Sequence, residues 1–116
     1  MELIELLLRN EFHVYLTADH GNIEARGCGR PSEGAIADQR GERVRVYPDT
    51  VLRSRVKGLF PEAMEWAPYG LPEDFLPLIA PYRLAFIRAG EVSVCHGGIS
   101  IEELIVPFIE IQTRTE

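Results

Sequence analysis

Two histidines of this 116-residue chain follow apolar runs and stand directly before glycines. Asp19 and His20 lie in the stretch "VYLTADHG", and His96 lies in the stretch "VSVCHGG". In open α/β sheets, ligands bind beyond the carboxyl ends of the strands. A carboxylate beside an imidazole offers one oxygen and one nitrogen to a divalent metal ion. Residue types and spacing leave two alternatives open, a metal site built from both stretches or two solvated turns.

The residues around these motifs add candidates for anion binding. The glycines after His96 lead into a predicted short helix, and the first backbone N–H groups of a helix bind anions such as phosphate. Arg30 lies in the loop after the first motif, where it is either a contact for a substrate phosphate or an ordinary loop residue. Cys95 precedes His96 directly, but successive residues of a strand point to opposite faces. We therefore expect Cys95 to be a buried structural thiol.

The first half of the chain predicts a helix, a strand, a long loop and a second strand. Apolar residues at helical spacing predict a helix over residues 1–10. Residues 12–17 are apolar on both faces, which is typical of a parallel strand inside an α/β sheet. Glycines recur between residues 21 and 41 and favour a loop. The alternation in "ERVRVYPD" predicts a half-exposed strand that Pro48 ends.

The second half predicts shorter elements around a proline-rich stretch. Residues 49–57 favour a helix with Asp49 or Thr50 as its cap. Residues 60–82 contain five prolines, which predicts an irregular segment with a helical turn near residues 62–66.

The elements that end the chain lie around the second histidine motif. Residues 84–88 and 92–95 favour strands joined by a tight turn, as in a hairpin. Ser100 and Glu103 form the pattern of a capping box, which predicts a short helix over residues 100–106. "FIEIQT" then alternates as a final strand. Together the elements predict an α/β fold, with a mostly parallel sheet, flanking helices and a small antiparallel part.

Composition excludes several classes of protein. A hydrophobic content of 46% and a charged content of 26% are those of a globular chain, and we expect residues 1–116 to form a single domain. The chain has no apolar run of about 18 residues, which predicts no membrane span. Its net charge of −6 makes nucleic acid an improbable partner. The absence of a signal-peptide pattern and the presence of only two cysteines predict a cytoplasmic protein with reduced thiols.

Basic residues are concentrated between residues 38 and 57. Such a cluster is either a phosphate-binding surface or the solvated face of a strand and a helix. We expect the second. The basic residues of this segment are Arg40, Arg43, Arg45, Arg53, Arg55 and Lys57.

Three stretches of the chain resemble segments of one protein family. "TADHGN" is similar to a metal-binding motif of the alkaline phosphatase superfamily, and "RGERVRVYPD" and "HGGISIEELIVP" resemble segments of its PglZ branch. The resemblance implies an alkaline-phosphatase-like fold and two divalent metal ions, zinc or manganese, at the phosphoryl group. Asp19 and His20 match the pair of ligands on one metal, and His96 matches the single late histidine on the other.

The same resemblance implies that part of the site is missing from this chain. In the family order, the nucleophile and several metal ligands come before the "DHG" motif, and only 18 residues precede Asp19 here. Three ligands divided between two metals make incomplete sites. We therefore expect a C-terminal segment of a PglZ-like domain, a fragment that is inactive alone. The intact protein would hydrolyse a phosphoester or phosphodiester substrate in phage defence.

A hypothesis from another class of function stays open, namely that the chain is a non-catalytic interaction module. The sequence therefore does not decide whether the chain acts as part of an enzyme. In both cases we expect it to associate, either with further copies of itself or with the upstream half of the same domain, because an incomplete sheet leaves apolar edges exposed. The two hypotheses differ in geometry, since only a metal site requires Asp19, His20 and His96 to converge.

Overall fold

A computed structural model describes residues 2–32, 34–36 and 42–114, which form a mixed α/β arrangement of short helices and several small sheets. The predicted α/β class is therefore confirmed. The elements in chain order are α1 (Glu2–Arg9), β1 (Val14–Thr17), β2 (Ile23–Gly27), β3 (Ala35–Ile36), β4 (Val44–Tyr47), α2 (Thr50–Leu59), β5 (Met64–Glu65), β6 (Leu76–Ile79), β7 (Leu84–Ala85), β8 (Val92–Cys95), α3 (Ile101–Leu104) and β9 (Phe108–Ile111).

The four-stranded sheet β3-β4-β6-β5 and helix α2 enclose the main core. Asp49 caps α2, because its Oδ1 accepts a 2.7 Å hydrogen bond from the backbone N–H of Leu52. The predicted helix and its cap are confirmed, although the helix ends at Leu59 rather than at Lys57. The buried core residues that join this sheet to the helix and to the chain beyond it are Tyr47, Val56, Ala63, Leu78, Ala80 and Phe86.

The proline-rich stretch is more regular than predicted. It contributes β5 and β6, and β5 occupies the place where a helical turn was expected near residues 62–66. Leu76, Leu78 and Ile79 are all buried in β6. The free energy gained by burying these side chains offsets the hydrogen bond that Pro77, which has no backbone N–H, cannot donate. The carbonyl of Pro77 still accepts a 3.1 Å hydrogen bond from the backbone N–H of Trp66.

The three-stranded sheet has the order β7-β2-β8, which corrects two predictions. The segments 84–88 and 92–95 do not pair with each other as a hairpin, because β2 lies between them, parallel to β7 and antiparallel to β8. The long loop predicted between residues 21 and 41 contains β2 and β3. In β2 the buried Ile23, Ala25 and Gly27 alternate with exposed residues, a period-two pattern that the surrounding glycines obscured.

Strands β1 and β9 pair antiparallel in a separate two-stranded sheet, named here the β1–β9 ribbon. Most of β1 and β9 is exposed, and no residue of α1 is buried. The prediction that β1 is a parallel strand buried on both faces is therefore wrong for this chain. Among the described strands only β2 and β7 pair in parallel, so the chain does not show the predicted mostly parallel sheet.

The exposed ribbon is consistent with an extended molecule. The radius of gyration is 19.1 Å, whereas a compact domain of about 100 residues has about 13 Å. The predicted terminal helix and final strand are both present, as α1 and β9, but no layer of the described chain covers them. Within the described residues, no helix has the length and apolar character needed to cross a membrane.

Candidate functional site

The loops after β1 and β8 bring His20 and His96 together. Their imidazole rings stack, with centroids 4.0 Å apart and planes inclined by 11°. The Nδ1 atom of His20 lies 2.8 Å from the carbonyl oxygen of Gly21. In the tautomer in which Nδ1–H donates to that carbonyl, the lone pair of His20 lies on Nε2. Asp19 lies on the same side, with its Oδ1 3.7 Å from the Nε2 of His20.

The stack limits what the two histidines can bind together. The lone pair of an imidazole nitrogen lies in the plane of the ring, so the two stacked rings hold their lone pairs in two separate, nearly parallel planes. The arrangement therefore suits two ligands next to each other better than one ligand between the rings. Asp19 and His20 form a different kind of pair, because atoms 3.7 Å apart are near the separation of two ligands that each lie about 2.0–2.2 Å from one zinc ion.

The donor set that this chain supplies is partial. Within residues 2–32, 34–36 and 42–114, no group of three or more histidine, cysteine or acidic side chains is placed to hold a metal ion. Around the histidine stack, the described residues offer one oxygen–nitrogen pair and one further imidazole. Asp19 is exposed and His20 is about one-third exposed, so both are accessible from outside the chain.

Gly21 connects the loop between β1 and β2 (residues 18–22), named here the first histidine loop, to helix α3. Its backbone N–H donates a 2.8 Å hydrogen bond to the carbonyl oxygen of Glu103. A Cβ atom at position 21 would lie 1.8 Å from the carbonyl oxygen of Glu102, which is far closer than two non-bonded atoms can approach. The glycine after His20 is therefore needed for this close approach of two backbones.

Glu103 of the same helix contacts the loop between β8 and α3 (residues 96–100), named here the second histidine loop. Its Oε2 accepts hydrogen bonds from the Ser100 hydroxyl at 2.7 Å and from the Ser100 backbone N–H at 3.1 Å, which completes the predicted capping box. Its Oε1 accepts a 2.9 Å hydrogen bond from the backbone N–H of Gly98, two residues after His96. One residue thus contacts both histidine loops.

The carboxylate of Glu103 forms a buried ion pair with Arg43 of the segment before β4. The Nε and Nη2 atoms of Arg43 donate to the two carboxylate oxygens at 2.9 and 3.2 Å, and its Nη1 donates to the carbonyl of Leu84. Arg43 is 1% exposed and Glu103 is 3% exposed. Burial raises the pKa of the Glu103 carboxyl, but the hydrogen bonds from Arg43, Ser100 and Gly98 outweigh it and hold the pKa below its ordinary value.

This ion pair corrects the strand part of the prediction that the basic cluster is a solvated face of a strand and a helix, whereas Arg55 of α2 is exposed. Arg43 and Arg45 are buried, and β4 is buried along its whole length rather than half-exposed. Burial is tolerated because each guanidinium has an acidic partner, Glu103 for Arg43 and Glu42, at 2.9 Å, for Arg45. Arg40, which belonged to the same predicted cluster, lies outside the described residues.

Two further residues considered in the sequence analysis, Arg30 and Cys95, are not part of the histidine stack. Arg30 is exposed and follows the end of β2, whereas His20 precedes the start of that strand. The five residues of β2, at about 3.3 Å per residue, therefore separate Arg30 from His20. Arg30 lines a groove with Arg55 and Phe60 of the α2 region. Its contact with a substrate phosphate stays a prediction. Cys95 is buried, as predicted, and burial is the main cause that raises the pKa of its thiol.

Sequence reasoning missed the role of Arg43 and half of the role of Glu103. The capping-box pattern identifies the contact between Glu103 and Ser100, because it operates within three residues. No local pattern relates Glu103 to an arginine 60 positions earlier. Arginines that alternate with valines fit a half-exposed strand equally well, so this segment carries no local signal of the ion pair.

Comparison with known families places all three motif stretches in one match. The sequence model of the family described as "BREX system PglZ alkaline phosphatase-like domain" matches residues 1–111. No curated protein and no solved structure matches the chain. The matched range includes Asp19, His20, Arg43, His96 and Glu103.

Proposed function

This chain belongs to the PglZ family of alkaline phosphatase-like domains, and we propose on that premise that it carries metal ligands of a metal-dependent phosphohydrolase. The observation that carries the proposal is the stack of His20 on His96, with centroids 4.0 Å apart. In two-metal phosphatases and nucleases the ions lie about 3.5–4 Å apart. The stack places two imidazoles from separate loops beside each other, as ligands of two neighbouring metal ions must lie.

The proposed assignment divides the three residues between two cations. Asp19 and His20 hold one divalent cation, zinc or manganese, through an oxygen and a nitrogen. His96 holds the other. Two such cations would supply Lewis-acid stabilisation of the attacking and leaving oxygens at a phosphoryl group. The chain's own residues orient the ligands: the Gly21 carbonyl fixes the tautomer of His20, as a hydrogen-bond acceptor does for many metal-bound histidines.

The partial donor set implies that further ligands and the nucleophile come from elsewhere. We propose that they belong to the upstream half of the domain, which would also complete the mostly parallel sheet. The chain alone then binds metal weakly and does not turn over a phosphoester or phosphodiester substrate. We further propose that the intact protein acts in phage defence, as the family's description as part of the BREX system favours, and in the cytoplasm, where Cys28 and Cys95 would stay reduced.

Calorimetric titration with Zn²⁺ and Mn²⁺ tests this proposal. We expect weak binding to the wild-type chain, which Asp19→Ala and His96→Ala each reduce by at least about tenfold, since a lost ligand outweighs the effect of a lost supporting contact. His13→Ala is the matched control, because His13 is exposed and precedes β1. Absence of binding to the wild type, or equal binding by all variants, would refute the metal role.

A second candidate function has one specific observation in its favour. The β1–β9 ribbon is apolar and largely exposed on both faces: Leu16 lies opposite Ile109 on one face, and Tyr15 stacks on Phe108 with centroids 5.4 Å apart. A two-stranded ribbon is marginally stable in water at best. On this view the chain is an interaction module whose ribbon is covered by a partner chain, either another copy of itself or the upstream half of the domain.

Analytical ultracentrifugation across a concentration series tests whether the ribbon is covered by a second copy of the chain. The interaction module predicts self-association that Leu16→Glu reduces and that Asp19→Ala leaves unchanged. A monomer at every concentration would exclude self-association. The titration and the sedimentation experiment are independent, because Leu16 belongs to the ribbon and Asp19 belongs to the loop after β1.

A further inference from the structure

We propose that Arg43 and Glu103 are positioning residues that set the spacing between His20 and His96. The inference rests on the proposed function for what the histidines bind. The spacing itself is a property of the metal-free chain and can be measured without any metal.

The first step of the argument is that Glu103 holds both histidine loops through different groups. Its backbone carbonyl accepts the N–H of Gly21, next to His20, at 2.8 Å. Its side chain accepts the N–H of Gly98, close to His96, at 2.9 Å. The two loops come from β1 and β8, which do not pair with each other. Because Glu103 contacts both loops, it fixes their positions relative to each other.

The second step is that Arg43 holds Glu103 in a single orientation. The guanidinium fork donates to both carboxylate oxygens, and a bidentate pair of this kind fixes direction as well as distance. Arg43 is itself anchored to the main core: its backbone carbonyl accepts a 2.9 Å hydrogen bond from Ala80, and its Nη1 donates to Leu84. A lysine keeps the charge but cannot supply the fork.

The third step is that the packing leaves little freedom for adjustment. A Cβ atom at Gly98 would lie 2.6 Å from the Oε2 of Glu103 and 2.9 Å from the Nε of Arg43. The ion pair therefore lies directly against the backbone of the second histidine loop. A shift of the carboxylate moves this loop, and the loop carries His96.

The experiment is an NMR measurement on the metal-free full chain, with a zinc titration beside it. The readout is the cross-relaxation peak between the ring protons of His20 and His96, assigned with single histidine variants. We expect the peak in the wild type and its loss in Glu103→Gln and Arg43→Lys, with zinc binding weakened about 10–100-fold. Glu102→Gln is the matched control, because Glu102 neighbours Glu103 and forms an exposed 3.1 Å ion pair with Arg83.

Cross-strand peaks between β2 and β8 report whether each variant is folded. A folded Glu103→Gln variant that keeps the histidine peak would overturn the inference, because the pair would then serve stability alone. If Glu103→Gln does not fold, Arg43→Lys decides, since it keeps a positive charge beside Glu103 and removes the guanidinium fork. A reduced histidine peak in that variant supports the inference, and an unchanged one overturns it.

The same data separate this inference from the proposed function. A wild-type chain that shows the histidine peak but binds no zinc contradicts the metal role and leaves the positioning role intact. A wild-type chain without the peak overturns the positioning role even if it binds zinc.

Discussion

The backbone N–H of Gly21 donates a 2.8 Å hydrogen bond to the carbonyl oxygen of Glu103, 82 residues further along the chain. This bond joins the "DHG" motif to the helix that follows the "HGG" motif. The two motifs are therefore parts of one packed unit, and the close approach of their backbones explains why a glycine follows His20.

A methyl group at position 21 should disrupt this unit. Gly21→Ala places a Cβ atom 1.8 Å from the Glu102 carbonyl oxygen, and we expect a loss of about 1–3 kcal/mol in the free energy of unfolding, as for other overpacked sites. Gly58→Ala is the control, because a Cβ at position 58 in α2 meets nothing within 4 Å. It should be neutral or stabilising by up to about 1 kcal/mol. Urea unfolding measures both, and equal stabilities would contradict the packing argument.

Removal of the buried guanidinium should be costly. Arg43→Met leaves the Glu103 carboxylate buried without its partner, and such a change destabilises by about 3–5 kcal/mol. Arg83→Met removes an ion pair whose side chains are 64% and 49% exposed, and it should cost less than about 1 kcal/mol. Comparison of the two variants by chemical denaturation tests whether the stability lost with an arginine depends on the burial of its ion pair. A small effect of Arg43→Met would contradict the expected cost of leaving this buried carboxylate without its partner.

Acid should destabilise the chain through Glu103. Its pKa is lowered in the folded state from the ordinary value of 4.5, so between the two values the unfolded state binds more protons. Stability contributed by Glu103 is therefore present above about pH 4.5 and is lost as the pH falls through the folded pKa. Glu103→Gln should flatten this part of the pH dependence of unfolding. A curve for Glu103→Gln that is as steep as that of the wild-type chain would contradict the assignment.

Both thiols should react slowly with a disulfide reagent at neutral pH. Burial raises the pKa of Cys28 and of Cys95, and the thiolate is the reactive form. Cys95, which is 2% exposed, should react more slowly than the partly exposed Cys28. A Cys28→Ser variant isolates the rate of Cys95, and urea should bring both rates to that of a free thiol. Rapid reaction of Cys95 in the folded chain would contradict its burial.

Local sequence determined the elements whose stabilising contacts lie within a few residues. Asp49 caps α2 through a residue three positions away, and Ser100 and Glu103 form their box within one turn. The alternation in "FIEIQT" likewise predicted β9. Asp19, His20 and His96 were identifiable as candidates because each follows an apolar strand and precedes a glycine, a pattern that needs no knowledge of distant contacts.

Tertiary structure alone decided how distant segments combine. Insertion of β2 between β7 and β8 is a choice among competing strand pairings, and local propensity does not discriminate among them. Arg43 appeared solvent-facing because its partner Glu103 lies 60 positions away. The 4.0 Å stack joins His20 and His96, which lie 76 positions apart in the sequence. The sequence therefore contained the chemical groups of the site, and only the folded chain determined the distance between them.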